Sequence, residues 1–274
     1  YLKNDGDHQR LENMAYEADD TYPAYVATKY SMWRNCQWSY TGTGSAAAMS
    51  GLYSSFCTFI GCSFRVTNAS GTGNALETGH NTFIGCFFER AAQNQQIIYA
   101  TGNLTLLNCI LDTGSKALYT NGSGTTITLA GNTIYNISGD GFALRDGQTM
   151  TVLNNLFHTV GDCVTGLASS YSGLLPIVMN NSYYNISGSQ MGTPIHADTG
   201  QQFAITESSD PLEDPSNNDF SLKDGASSIG AAYPYQFIAA DQRQYKDVGA
   251  GQRDGGSGGG GGFRRLTFNG GMTG

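Results

Sequence analysis

One short pattern recurs through most of this chain and restricts what it can fold into. Seven anchors, Cys36, Cys62, Cys86, Cys109, Asn132, Asn155 and Asn181, are spaced by 26, 24, 23, 23, 23 and 26 residues. Three places before each anchor stands a large apolar residue: Trp33, Phe59, Phe83, Leu106, Leu129, Val152 or Val178. Two places after it stands another: Trp38, Phe64, Phe88, Leu111, Ile134, Phe157 or Tyr183. Immediately before it is Asn or Gly: Asn35, Gly61, Gly85, Asn108, Gly131, Asn154 or Asn180. Self-similarity at a period of about 23 residues marks a solenoid.

The repeat carries strand chemistry. Phe83 to Phe88 and Val152 to Phe157 are short apolar runs bounded by clusters such as Ser138-Gly139-Asp140-Gly141. A unit this short has no room for two helices, and the leucine-rich spacing is not kept. The Asn or Gly in mid-run tolerates left-handed backbone, so the chain bends there and continues as a new strand with both flanking apolar residues inward. Each coil then holds two or three strands and stacks on the next at about 4.8 Å in parallel pairing. The fold class predicted is an all-β parallel solenoid of about seven coils with terminal caps.

The unit Val152-Leu153-Asn154-Asn155-Leu156-Phe157 resembles the repeat of the right-handed parallel β-helix, or pectin-lyase-like, superfamily. The stretch from Ser209-Asp210-Pro211 through Asp219-Phe220-Ser221-Leu222 to Gly225–Gly230 is similar to the closing segment of many bacterial and viral members. Asp247-Val248-Gly249-Ala250 resembles the strand that often follows. The resemblance spans about residues 31–250 and implies the fold; it does not imply one activity, because the fold hosts many.

The pattern divides the chain. Residues 1–30 stand outside the repeat and are expected to cap the open strand edges, with a short helix over 8–18 placing Leu11, Met14, Ala15 and Ala18 inward. Residues 31–200 are the coils and 201–250 the second cap. The latter carries Glu207, Asp210, Glu213, Asp214, Asp219 and Asp224, read as turn acceptors in preference to a calcium site. Residues 251–274 are a glycine-rich linker ending in a basic, aromatic piece with Phe263, Arg264, Arg265 and Phe268, a candidate for docking on another copy or subunit by strand addition.

Composition excludes some partners. The net charge of −8 and the lack of a basic stripe argue against nucleic acid. No apolar run approaches the roughly 18 residues of a membrane span. Four of the six cysteines share the anchor column. Stacked thiols project in parallel, a poor geometry for an S–S bond, so a ladder of buried free thiols is expected, with Cys57 in a second inward column beside Leu104, Ile127 and Met150.

Two functions are weighed. Enzymes of this superfamily gather acidic residues to hold Ca²⁺ beside an Arg or Lys base, or pair Asp residues as acid and base; the resemblance implies Ca²⁺ only for the lyase case. The best constellation is Asp140, Arg145, Asp146, His158 and Asp162. Gly161-Asp162-Cys163 resembles the Asp-Asp-Cys segment of polygalacturonase-type hydrolases, with one Asp where that family has two. The Gly-His-Gly and Arg-Ile-Lys segments are missing, and Gly79-His80-Asn81 is a misplaced echo. Asp140 and Asp162 each follow a glycine just past a strand, the place of plain turn residues. Tyr135 and Tyr184 are expected to be exposed and offer faces to a glycan; Trp38 and Tyr183 fall in the core column. The reading preferred is a non-catalytic structural protein, a subunit or decoration of a phage virion or bacterial surface, located outside the cell; the alternative is a secreted polysaccharide lyase or hydrolase.

Overall fold

The computed structural model describes residues 8–18, 24–25, 29–44, 47–51, 56–70, 73–145, 147–166, 177–192, 202–232 and 248–250. Each circuit of the chain lays one strand in each of three parallel sheets. The first sheet runs Arg10–Glu12, Met32–Arg34, Cys57–Ile60, Asn81–Ile84, Leu104–Leu107, Thr126–Ala130, Thr149–Leu153 and Ile177–Met179. The second runs Ala15–Ala18, Gln37–Tyr40, Ser63–Val66, Phe87–Arg90, Ile110–Gly114, Thr133–Ile137, Leu156–Val160 and Ser182–Ile186, and ends in Ile205–Thr206. The third runs from Ala24–Tyr25 through Met49–Gly51, Leu76–Thr78, Gln96–Ala100, Lys116–Thr120 and Phe142–Leu144 to Val164–Gly166.

The bend between the first two sheets is where the sequence pattern acts. Asn35, Gly61, Gly85, Asn108, Gly131, Asn154 and Asn180 all hold φ between +51° and +66°, the left-handed conformation those residues adopt at least cost. The flanking residues turn inward and stack in register: Trp33 on Phe59, Phe59 on Phe83, Phe83 on Leu106, and Leu106 on Leu129. Rings in each column lie nearly parallel, with centroids 4.7 Å apart for Phe59 and Phe83 and 4.9 Å for Phe64 and Phe88. Rings of facing columns meet edge-on, as Phe64 does with Phe83 at 5.7 Å. Both arrangements suit the quadrupole of an aromatic ring.

The anchors form one continuous hydrogen-bonded ladder in which thiol and amide do the same job. The Sγ of Cys62, Cys86 and Cys109 donates to the carbonyl oxygen of Trp33, Phe59 and Phe83, each at 3.5 Å. The Nδ2 of Asn132, Asn155 and Asn181 donates to the equivalent oxygens of Leu106, Leu129 and Val152 at 3.1, 3.0 and 3.1 Å. In return, the Cys109 N–H donates to Asn132 Oδ1 at 2.8 Å and the Asn132 N–H to Asn155 Oδ1 at 2.9 Å. The same bond is made with sulfur where the Cys86 N–H meets Cys109 Sγ at 3.4 Å. All six cysteines are buried and free, and burial pushes the Cys86 and Cys163 thiols well above their ordinary pKa. Cys57 faces inward with Leu104, Ile127 and Met150; Asn81 completes that column, giving Nδ2–H to Thr78 Oγ1 at 2.8 Å and taking the Cys57 N–H at 2.9 Å.

The ends differ from expectation. Residues 8–18 hold no helix: Arg10–Glu12 and Ala15–Ala18 are strands that begin the first and second sheets. Leu11 lies beside Trp33 and Tyr16 beside Trp38, with Asn13 at φ +56° between them. The apolar spacing taken for one helix face is the strand–bend–strand spacing of the other coils, with Met14 in the anchor place. At the other end Ile205–Thr206 pairs with Ser182–Ile186, the last full strand of the second sheet, and Gln202 bridges to Met179 of the first. Residues 210–222 instead turn back along the outside of the second sheet as an antiparallel hairpin, Leu212–Asp214 with Asp219–Leu222. Leu212, Phe220, Leu222 and Ala250 bury a second apolar cluster against Phe87, Ile110 and Leu156. The Glu207 carboxylate pins this strap by accepting from the Ser227 N–H at 2.9 Å and the Ser228 N–H at 2.7 Å. Asp214 and Asp219 take short-range bonds from Ser216, Asn217 and Ser221, as turn acceptors do.

The ladder yields a direct test. Asn155→Ala removes two donated and two accepted hydrogen bonds inside the core, and urea unfolding should show a loss of about 2–4 kcal/mol. Asn155→Cys should cost clearly less, because a thiol fills the same place at Cys109.

Candidate functional site

Of the described residues singled out from sequence, Asp140 and Asp162 become neighbours on successive rungs, while Arg145 and His158 lie elsewhere. Asp140 and Asp162 occupy the same turn of successive coils, between the second and third sheets, where the Gly141 N–H donates to the Asp162 carbonyl at 2.7 Å. Their carboxylates serve local ends: Asp140 pairs with Lys116, and Asp162 accepts from the Ser189 N–H at 2.6 Å. Arg145 follows the third sheet, and its guanidinium donates to Asn121, including the carbonyl oxygen at 2.9 Å. His158 lies on the outer side of the second sheet. Asp146 lies outside the described residues, as do Phe263, Arg264, Arg265 and Phe268 of the tail. Trp38 and Tyr183 are core residues; Tyr135 and Tyr184 are only half-exposed, because the strap and the neighbouring rungs cover part of each.

A different set of ionisable groups is assembled by register. Three places after successive anchors stand Ser39, Arg65, Glu89, Asp112, Tyr135, His158 and Tyr184, one above the next on the outer face of the second sheet. Arg65 Nε lies 3.3 Å from Glu89 Oε2, and its guanidinium sits 4.9 Å from the centre of the Phe87 ring. Asp112 is 7% exposed and takes a hydrogen bond from Thr113 Oγ1 at 2.9 Å. Burial, reinforced by the charge of Glu89, pushes the Asp112 carboxyl up to about 7. Burial also raises Glu89, although Arg65 pulls it down.

His158 closes the column against the strap. Its Nε2 is 2.9 Å from Asp210 Oδ1 and its Nδ1 3.0 Å from Thr159 Oγ1. Burial lowers the imidazole pKa despite the adjoining carboxylate, so the neutral ring donates Nε2–H to Asp210 and accepts from Thr159. Burial opposes ionisation of Asp210, but the Leu212 N–H and His158 outweigh it and hold that carboxyl below its ordinary range. Lys223 Nζ stands 3.6 Å from the other Asp210 oxygen. Chemically, the column offers a carboxyl that exchanges a proton near neutrality beside a second carboxyl and an arginine. Among the described residues, no three His, Cys, Asp or Glu side chains group to hold a metal ion, and no helix is long and apolar enough to cross a membrane.

The elevated Asp112 pKa makes stability depend on pH. A carboxyl raised in the folded state favours folding when protonated, so its contribution is complete below about 4 and is lost as pH rises towards 7. His158 acts in the opposite sense, losing stability as pH falls through its lowered pKa. Asp112→Asn should therefore raise the melting temperature relative to the parent chain at pH 8, and the gap should narrow by pH 5 and close near pH 4; a gap of equal size at pH 8 and pH 5 would mean that Asp112 does not titrate.

A family model and one solved structure agree with this fold. Residues 25–191 match the family described as "Right handed beta helix region". The crystal structure of the pectate lyase Pel9A is similar at 14% identity and a TM-score of 0.57, over 89% of this chain and 68% of that one. The quinolone-resistance protein QnrB1 aligns at 12% identity over 74% of this chain and 94% of that one, with a TM-score of 0.18. No curated protein matches the sequence. With more than half its length matched and three parallel sheets wound coil on coil, the chain belongs to the right-handed β-helix family.

Proposed function

We propose that this chain is a non-catalytic structural β-helix, a rigid subunit or decoration of a larger extracellular assembly such as a phage virion or a bacterial surface. The observation that carries the reading is the separate engagement of the polar candidates. Asp140, Arg145, His158 and Asp162 are each held by a separate local partner, Lys116, Asn121, Asp210 and Ser189. Acid–base catalysis on a polymer needs such groups converging on one bond. The arginine- and phenylalanine-bearing tail supplies a further means of joining a neighbour.

A second reading, a polysaccharide lyase or hydrolase, is favoured by one observation: the Asp112 carboxyl, poised near neutral pH beside Glu89 and Arg65. The two readings separate in one assay. Purified chain incubated with pectate, alginate and related uronates, with and without Ca²⁺, should release no product. Cleavage that disappears in Asp112→Asn or Asp162→Ala would establish the enzyme instead. Deleting residues 251–274 should leave the coil fold intact by circular dichroism while releasing the chain from its assembly.

A further inference from the structure

We infer that the outer face of the first sheet is the surface through which one copy of this chain packs on another, an inference that rests on the structural reading above. The charges are divided unevenly among the three faces. In the second sheet the strands carry Glu17, Arg65, Glu89, Arg90 and Asp112, and in the third Glu77 and Lys116. From Cys57–Ile60 to Ile177–Met179, six successive strands of the first sheet carry none. Their outward side chains form two columns. One is Thr58, Thr82, Thr105, Thr128 and Thr151, ending at the exposed Ile177; the other is aliphatic, with Ile60, Ile84, Leu107 and Leu153 half-buried.

Charge selects the occupant. Two copies of a chain of net charge −8 repel wherever they meet through charged surface. They approach at least cost where both present none, and a patch without charge needs no complementary partner to match it. A second copy therefore satisfies this face. The one charged stretch of the sheet lies at its N-terminal end, where Glu12 sits between Arg10 at 2.7 Å and Arg34 at 3.9 Å, a group of both signs and so also compatible with itself.

A strained aromatic ridge borders the same face. His8, Tyr30 and Phe56 hold φ of +60°, +56° and +60°, a conformation that costs such side chains about 1–2 kcal/mol each. They stack in a row that continues to His80, with centroids 5.2, 5.4 and 5.6 Å apart. Tyr30 and Phe56 remain 54% and 57% exposed. Because each ring covers the face of the next, the ridge presents edges, which suit an apolar protein surface better than a stacked sugar ring. The uncharged strip is about 24 Å long at the usual strand spacing, so the contact is at the small end of stable interfaces and micromolar association is expected.

The test is sedimentation of the full chain over a concentration series. The parent chain should exceed its monomer mass of 29.2 kDa as concentration rises into the micromolar range. Thr82→Glu with Thr128→Glu, on half-exposed side chains two rungs apart, should weaken association about tenfold or more. Ser138→Glu with Ser187→Glu adds the same charge at exposed corner positions and should leave association unchanged. Phe56→Asn relieves the left-handed strain, so it should keep or raise the melting temperature while weakening association. Raising salt from about 50 to 500 mM should leave association level or strengthen it, whereas contacts made by the arginine tail would weaken. A parent chain that stays monomeric, equal effects of the two charge pairs, or association that falls with salt would overturn the inference. Failure of the structural reading itself would appear separately, as uronate cleavage.

Discussion

The bend ladder is the constraint from which the rest of the structure follows. A coil of about 23 residues can enclose a core only if its chain turns sharply without leaving polar backbone unsatisfied inside. Left-handed Asn or Gly makes the turn, and the next side chain then bridges to the coils on either side. Asn132, Asn155 and Asn181 do so with an amide, Cys62, Cys86 and Cys109 with a thiol, and the receiving carbonyls are equivalent. The change from thiol to amide comes at Asn132, one rung after the inward column turns from rings to aliphatic side chains at Leu106. Thiols stand beside Trp33, Phe59 and Phe83, and the amides beside Leu129, Val152 and Val178; Cys109, beside Leu106, is a thiol next to an aliphatic residue, so the weaker donor accompanies the larger rings in three of its four places. Ring stacking stabilises the N-terminal half where the hydrogen-bond ladder is least strong.

How much of this was legible in the sequence depends on range. The columns through Phe59, Phe83 and Leu106 follow from one repeat, and the register bears them out rung by rung. The strand start at Leu11 was written in the same pattern, with Asn13 before Met14, but a single imperfect unit also satisfies helical spacing. The strap was hidden for a different reason. Phe87, Ile110 and Leu156 point outward yet are apolar, and what covers them is Phe220, Leu222 and Ala250, far along the chain; the Ala250 N–H reaches Thr133 Oγ1 across 117 residues. No periodic signal encodes such a contact. The ionisable column was visible in principle, since Arg65, Glu89, Asp112 and His158 share one offset from their anchors. Asp162 stands out instead through a motif resemblance; it and Asp140 lie in turns between strands.

Stacking at one register converts sequence position into chemical environment. A charge at the third place after an anchor meets its counterparts at strand spacing on both sides, which is why Arg65 pairs with Glu89 and why Asp112, next in line and almost fully buried, holds its proton near neutrality. A charge at a corner meets only its turn, as Asp162 meets Ser189. The column therefore concentrates proton-binding groups and withdraws two of them from solvent: Asp112 and His158 are nearly buried, and the strap is tied to the column through His158.

The three faces consequently differ in what they can do. The second sheet is partly roofed by the strap, which His158 ties down through Asp210. The third carries tyrosines that stack on each other at 5.7 Å, together with Glu77 and Lys116. The first alone combines uniform shape, no charge over six strands and a bordering ridge whose backbone strain the interior does not require, because Gly or Asn would make the same turn without it. Strain kept where the fold has no use for it points outward, to a surface another molecule must meet.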